Sequence, residues 1–293
     1  MVKPPQRILI VRNDKLGDFM LAWPAIALLK RSLPETEVHA LVPAYTAELA
    51  EACPWIDQVV IDPGQAAGTG GWWALVQRLR EGHYQAAIAL FSTTRIATAL
   101  LAAGIRHRLA PATKLAQVFY SHRLRQHRSA SVKPEHVYNR ELVEYFLEEH
   151  DLPVAEPAPP PLLRFDAEEL ANRRRQFLEG YGIPLDHRLV FMHPGHGGSA
   201  NNLSPAQFAA LADGLESSGH TVVVTAGPGE EATAHGLVAQ LEEGGTTGLF
   251  VLAAIVTHES VSLDDLVRVT RYPESSCRIH VDRLLDLGAV VDS

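Results

Sequence analysis

Apolar residues in this chain fall into short unbroken runs, and the segments between several of them carry apolar positions at helical spacing. Ile8-Leu-Ile-Val11 is one such run, bounded by polar residues, and predicts a buried parallel strand. Asn13 to Asp18 is a polar turn. Phe19 to Leu33 has helical periodicity and closes with Lys30 and Arg31, cations that favour a helix C-terminus. Glu37–Val42, Val59–Asp62, Ala86–Phe91 and Ile105–Leu109 continue as strands, with a helix over Thr46–Ala52. The pattern resumes later in the chain. Leu189–Met192 is a strand, His193–Asn202 a glycine-rich loop and Ser204–Ser217 an amphipathic helix. Thr221–Thr225 is a strand, Gly227–Gly229 a turn, Glu230–Glu242 a helix and Leu249–Ala253 a third strand. Such alternation predicts an α/β protein whose parallel sheets carry helices on both faces.

The two stretches are separated by Leu152–Leu163, which holds Pro153, Pro157, Pro159, Pro160 and Pro161. Proline-rich sequence favours an extended, semi-rigid spacer, so the expected organisation is a first domain over 1–152, a linker over 153–163 and a second domain over 164–253. Residues 254–293 form a divergent tail, expected to be helical. Two parallel-sheet domains with a cleft between them are anticipated.

With 46% hydrophobic and 20% charged residues, the 293-residue chain can bury full cores, which excludes intrinsic disorder. Cys53 and Cys277 are far apart and lack zinc or redox spacing, which argues against a disulfide scaffold. The first apolar run is too short for a signal peptide, and Phe19–Leu29 is about half a membrane span and broken by Pro24. A soluble cytoplasmic protein is expected.

The net charge of −8 divides unevenly, +3 over residues 1–150 and −11 over 151–293. Arg106 to Arg140 holds eight basic residues, among them Arg123, Arg125 and Arg128, against one acid, Glu135. This is either an attractor for an anionic partner or a solvated basic face.

Candidate chemistry gathers in two loops. Arg12-Asn-Asp-Lys-Leu-Gly-Asp18 leaves the first strand at its carboxyl end, where ligands bind in open parallel sheets. Gly17 permits close backbone approach. Asp18, at the start of the next helix, is placed either to take a proton from a hydroxyl or simply to cap that helix. His193-Pro-Gly-His-Gly-Gly-Ser199 joins a strand to a helix, so its amides can surround a phosphate or merely make a tight turn. It is neither a dinucleotide fingerprint nor a Walker loop. Glu230, after the next strand, is either a ribose acceptor or a first-turn helix acid. No histidine pair has ligand spacing, so no metal site is expected. There is no nucleophile elbow.

Ile8-Leu-Ile-Val-Arg-Asn-Asp-Lys-Leu-Gly-Asp18, with Pro24-Ala25 and Pro34-Glu-Thr-Glu-Val38, resembles glycosyltransferase family 9, the ADP-heptose:lipopolysaccharide heptosyltransferases. The resemblance continues through Met192-His-Pro-Gly-His-Gly-Gly-Ser199 and His220-Thr-Val-Val-Val-Thr-Ala-Gly-Pro-Gly-Glu230. It implies a GT-B fold of two Rossmann-like domains, acceptor on the first and nucleotide-sugar donor on the second, here incomplete. It implies inverting, metal-independent transfer of a heptose-type sugar from an ADP donor, with no cofactor. Asp18 would be the catalytic base. Gly195, Gly197, Gly198, Ser199 and Asn201 would hold the donor pyrophosphate and Glu230 the nucleoside. Lys15, Gly17, Arg123, Arg125 and Arg128 would meet an anionic inner-core acceptor, whose lipid would bring the enzyme to the inner face of the membrane.

Two departures are visible. Where the family carries a cation two residues before a tryptophan, this chain has Asn201 and Leu203, removing a charge that would stabilise the leaving phosphate. The D-T/S-G-P-x-H donor loop is absent, and the resemblance ends after Ala253. Two alternatives follow: a catalytically silent member that binds acceptor only, or a regulator whose tail is similar to a winged helix. In the second, Glu274, Ser275, Arg278 and Arg283 would face DNA. From Ala253 onward four arginines meet seven acids, which opposes DNA binding.

Overall fold

A computed structural model describes residues 3–112, 115–130, 132–195, 202–227, 229–243 and 253–254. Two compact units are present, Met1–Arg164 and a second that begins at Phe165.

The first unit runs β1 (Arg7–Val11), α1 (Leu16–Met20), α2 (Trp23–Ser32), β2 (Glu37–Pro43), α3 (Ala47–Glu51), β3 (Gln58–Asp62), α4 (Gly68–Glu81), β4 (Ala86–Ala89), α5 (Thr94–Ala102), β5 (His107–Pro111), β6 (His122–Leu124) and α6 (Glu135–Glu149). Its six strands are parallel in the order β3-β2-β1-β4-β5-β6. The chain winds outward from β1 to β3, then returns to place β4 on the other side of β1. That reversal opens a crevice at the carboxyl ends of β1 and β4.

The run Ile8–Val11 is fully buried because both faces of the sheet are covered. Ile8 and Ile10 pack with Val38, Val42 and Ile88 against residues of α2 and α6, including Ile26, Leu29, Leu142 and Phe146. Leu9 and Val11 pack on the other side with Leu75 and Leu79 of α4 and Ile96 and Leu100 of α5. At about 1.5–3 kcal/mol for each fully buried large aliphatic side chain, these layers supply most of the favourable term in folding.

The helix expected over Phe19–Leu33 is two helices. α1 ends at Met20 and α2 begins at Trp23, with Pro24 in its first turn. Proline lacks an amide proton and its ring clashes with the carbonyl four residues earlier, here that of Met20, so a continuous helix cannot form. The strands fall close to the expected ranges. The periodicity reading had not picked out α4, α5, β6 and α6.

The proline-rich segment lies on the first unit. Arg31 Nε donates to Glu156 O at 3.1 Å and the Ala155 amide to Ser32 Oγ at 2.9 Å. Leu162 and Leu163 pack on the core beside α2 and α6.

The second unit contains α7 (Ala167–Gly180), β7 (Arg188–Met192), α8 (Pro205–Ser217), β8 (His220–Ala226), α9 (Glu231–Glu243) and β9 (Ala253–Ala254). β7, β8 and β9 are parallel in that order. Val222 and Val224 face Phe208, Ala212 and Leu237 of α8 and α9, while Val223 faces Leu178 of α7. α8 starts with a capping box in which Ser204 and Gln207 satisfy each other's backbone amides. The tail expected over 254–293 lies outside the described residues except for Ala254. Among the described residues, no helix is long and apolar enough to cross a membrane.

Candidate functional site

At the reversal of the first sheet lies a cavity of about 590 Å³, lined by Arg12, Asp14, Asp18, Leu90, Phe91, Ser92, Pro111, Gln117, Arg128 and Glu135 among others. Arg12 organises it. As the first residue after β1 it is 3% exposed, and a buried guanidinium is tolerated only when paired. Its Nη2 lies 3.1 Å from Asp18 Oδ1, its Nη1 2.9 Å from Glu135 Oε1 and its Nε 2.8 Å from Asp14 Oδ1. The Asp14 contact is an ion pair without the alignment of a hydrogen bond. The guanidinium also sits over the Phe91 ring, 5.9 Å from its centroid.

The loop carrying these groups is tied on several sides. Asn13 Nδ2 donates to Asp62 Oδ2 at 2.5 Å, and Arg95 pairs with the same carboxylate. Tyr45 donates its hydroxyl proton to Asp14 O. Burial pushes the Asp14 carboxyl above its ordinary value, against the opposing pull of Arg12.

Asp18 stands in the first turn of α1, half-buried, with its carboxylate on the cavity. It makes no side-chain cap of that helix; Lys15 occupies the cap position. Lys15 and Gly17 are exposed, and a β-carbon added to Gly17 would meet nothing within 4 Å, so the fold itself does not require glycine there.

Arg128 joins Asp18 on the cavity wall. Its Nη1 donates to Leu90 O at 3.2 Å and pairs with Glu135 at 2.6 Å, while its buried Nη2 has no hydrogen-bond partner. Arg123 and Arg125 are exposed on β6 and just after it, and are not among the described lining residues. Much of the basic stretch is neutralised by acids on α6: Lys133 pairs with Glu141 and Arg140 with Glu144. Arg108 is spent on the carbonyls of Ile105, Arg106 and Phe119.

In the second unit, a pocket of about 320 Å³ at the carboxyl ends of β7 and β8 is lined by Pro194, Gly195, Asn202, Leu203, Phe208, Gly229, Glu230, Thr233 and Leu237 among others. Glu230 Oε2 lies 3.0 Å from His193 Nε2, and His193 Nδ1 lies 3.0 Å from Thr225 Oγ1. A β-carbon on Gly195 would come within 2.0 Å of Glu230 Oε2, so any larger residue here would turn that carboxylate aside. Asn202 Nδ2 donates to Pro194 O at 2.6 Å and joins the two ends of the loop. Gly197, Gly198, Ser199 and Asn201 lie outside the described residues.

Sequence reasoning had not assigned roles to Arg12, Asp14, Glu135 or His193. A charged residue directly after an unbroken apolar strand is a signal for the first, since burial demands counter-charges. The lone acid in the basic stretch is a signal for Glu135.

Residues 72–255 match the family described as glycosyltransferase family 9 (heptosyltransferase). A Haemophilus influenzae protein named as a glycosyltransferase is 47% identical over 233 residues, 79% of this chain and 67% of that one. Among solved structures, a family 9 glycosyl transferase from Veillonella parvula superposes with a TM-score of 0.68 at 17% identity, covering 90% of this chain and 72% of that one. The E. coli ADP-heptose lipopolysaccharide heptosyltransferase II gives 0.67 at 19% identity, covering 90% and 76%.

Proposed function

This chain belongs to glycosyltransferase family 9 and has the GT-B-like α/β fold of its solved structural neighbours, and from that premise we propose an inverting transfer of a heptose-type sugar with Asp18 as the base. The donor is a nucleotide sugar of the ADP-heptose kind and the acceptor an anionic sugar of the lipopolysaccharide inner core. The observation that carries the reading is the Asp18 carboxylate, held on the cavity at the sheet reversal by a buried arginine.

The chemistry is one displacement. An acceptor hydroxyl attacks the anomeric carbon of the donor as the bond from that carbon to the diphosphate oxygen breaks. The hydroxyl proton passes to Asp18, and the nucleoside diphosphate leaves with the bonding electron pair. No step in this scheme requires a metal. Arg12 fixes the rotamer of the base, and a base held in place raises the rate by removing the search for a reactive geometry. Arg128, on the wall of the same cavity, supplies the positive charge toward which the acceptor's anionic groups are drawn. Glu230 accepts hydrogen bonds from the donor's ribose, in the pocket that Gly195 leaves open. A lipid-linked acceptor brings a cytoplasmic enzyme to the inner membrane face without a spanning segment.

The test is nucleoside diphosphate release by the purified chain with ADP-heptose and a deacylated inner-core acceptor, compared with Asp18→Asn. The variant loses about 10²–10⁴-fold in kcat with an unchanged melting temperature. Turnover retained in the variant removes Asp18 from the role. A wild-type chain that binds acceptor but releases no nucleotide supports the silent-member reading.

A further inference from the structure

The chain leaving β1 is gripped from both faces of the sheet. Side chains alternate along a strand, so Arg12 continues the face of Ile8 and Ile10 and reaches Glu135 and Asn139 of α6. Asn13 continues the other face, that of Leu9 and Val11. The register carries this face across three strands. Val11 pairs with Leu41 and Leu41 with Val60, all three in the core beneath α4 and α5. Two residues further on, the same row continues as Asn13, Pro43 and Asp62. Neighbouring strands lie about 4.8 Å apart, so about 10 Å separates the first backbone from the third, a gap that two side chains can span.

Asn13 and Asp62 do span it. Asn13 Nδ2 donates to Asp62 Oδ2 at 2.5 Å, the Gly64 amide donates to Oδ1 at 3.0 Å, and Arg95 pairs with Oδ2. The Asp62 side chain is 3% exposed, a depth at which a carboxylate is tolerated only with such partners. Its surroundings are themselves tied to α4. Arg78 donates to Ile61 O at 2.9 Å, and the Trp72 indole donates to Arg95 O at 3.1 Å. Asn13 Oδ1 is buried without a hydrogen-bond partner, so the amide is held through Nδ2. Asp62 is not among the described residues that line the cavity of Asp18, and it reaches that cavity through Asn13.

We propose that Asp62 is a positioning residue for the transfer: through Asn13 it fixes the path of residues 13–18 and with it the place of the Asp18 carboxylate. The proposal rests on Asp18 being the base. Arg12 holds that carboxylate at one contact, which leaves the backbone beneath it free to swing. α1 has only five residues, so its direction follows from the loop that leads into it. Asp62 sets that direction from the face of the sheet that Arg12 does not reach. A buried ion pair contributes little net stability beside apolar groups of the same volume, and what the pair of Asp62 and Arg95 supplies here is orientation.

The experiment compares wild type with Asp62→Asn, Asn13→Ala, Asn13→Asp, the double variant Asn13→Asp with Asp62→Asn, and Asp18→Asn, each as the full chain. Nucleoside diphosphate release gives kcat and the donor KM, and amide hydrogen exchange reads the loop. The single variants at 13 and 62 lose about 10–100-fold in kcat at an unchanged donor KM. Their amides over residues 14–20 exchange faster than in wild type, while those of β3 keep their protection. In the double variant the new amide at position 62 donates to the new carboxylate at position 13, and both kcat and protection recover. A loss of general stability would neither spare KM nor confine the faster exchange to this loop. Asn13→Ala leaves the buried pair of Asp62 and Arg95 intact, so it reads the contact even where Asp62→Asn fails to fold. The proposal is overturned if Asn13→Ala keeps the kcat and the loop exchange of wild type, or if the double variant recovers neither. Turnover retained in Asp18→Asn withdraws the base instead, a failure of the underlying reading. In that case, or where wild type releases no nucleotide, exchange over residues 14–20 still decides whether Asp62 holds the loop.

Discussion

Arg12 and Asp18 face each other at 3.1 Å across the mouth of one crevice, the arginine almost fully buried and the aspartate half open to solvent. The asymmetry separates their roles. Asp18 has a face to offer a substrate, whereas Arg12 has none and acts through what it holds.

Replacing Arg12 by Gln strands three carboxylates, those of Asp14, Asp18 and Glu135, around a site built for a cation. Removing one partner of a buried pair costs about 3–5 kcal/mol, so Arg12→Gln lowers the melting temperature by roughly ten degrees. Arg12→Lys restores only part of this, because an ammonium cannot fork toward three acids. Thermal unfolding of the two variants checks both expectations. Equal stability in all three proteins would show that the cluster is not coupled.

Gly195→Ala places a methyl group where the Glu230 carboxylate stands. The acid must turn away, so the variant should bind ADP at least ten-fold more weakly while unfolding at the same temperature as wild type. Titration with ADP decides it. Unchanged affinity would take Glu230 out of the nucleotide site.

His39 is buried against Tyr84, with Nδ1 2.9 Å from the phenolic oxygen, and desolvation holds its imidazole below the ordinary value of 6.5. The unfolded chain therefore takes up a proton more readily than the folded one. The stability that neutral His39 contributes is complete above pH 6.5 and is lost progressively as pH falls below it. Urea unfolding at pH 7.5 and 5.5 should show a smaller acid loss in His39→Gln than in wild type. An identical loss in both would place the acid sensitivity elsewhere.

The strands and the candidate base were legible in the sequence because each rests on a local pattern. Ile8–Val11 is apolar throughout, and Asp18 follows a polar turn at a strand end. Pro24 also carried a local signal, the break after Met20, which the periodicity from Phe19 to Leu33 obscured. What the sequence concealed is what topology assembles. Arg12 meets Glu135 across 123 positions, and Asn13 meets Asp62 only once β1, β2 and β3 are in place. The pairing within the basic stretch was hidden for the same reason, since Glu141 and Glu144, which neutralise Lys133 and Arg140, lie just beyond its end.

The contacts of Ala155, Glu156, Leu162 and Leu163 with the first unit have a practical consequence for dissecting the protein. Residues that follow α6 hydrogen-bond to α2 and pack on the apolar core that α2 and α6 share. A fragment cut after His150 would bare that part of the core to water and invite self-association. One cut after Arg164 keeps its own cover, so the natural place to divide this molecule lies past its prolines.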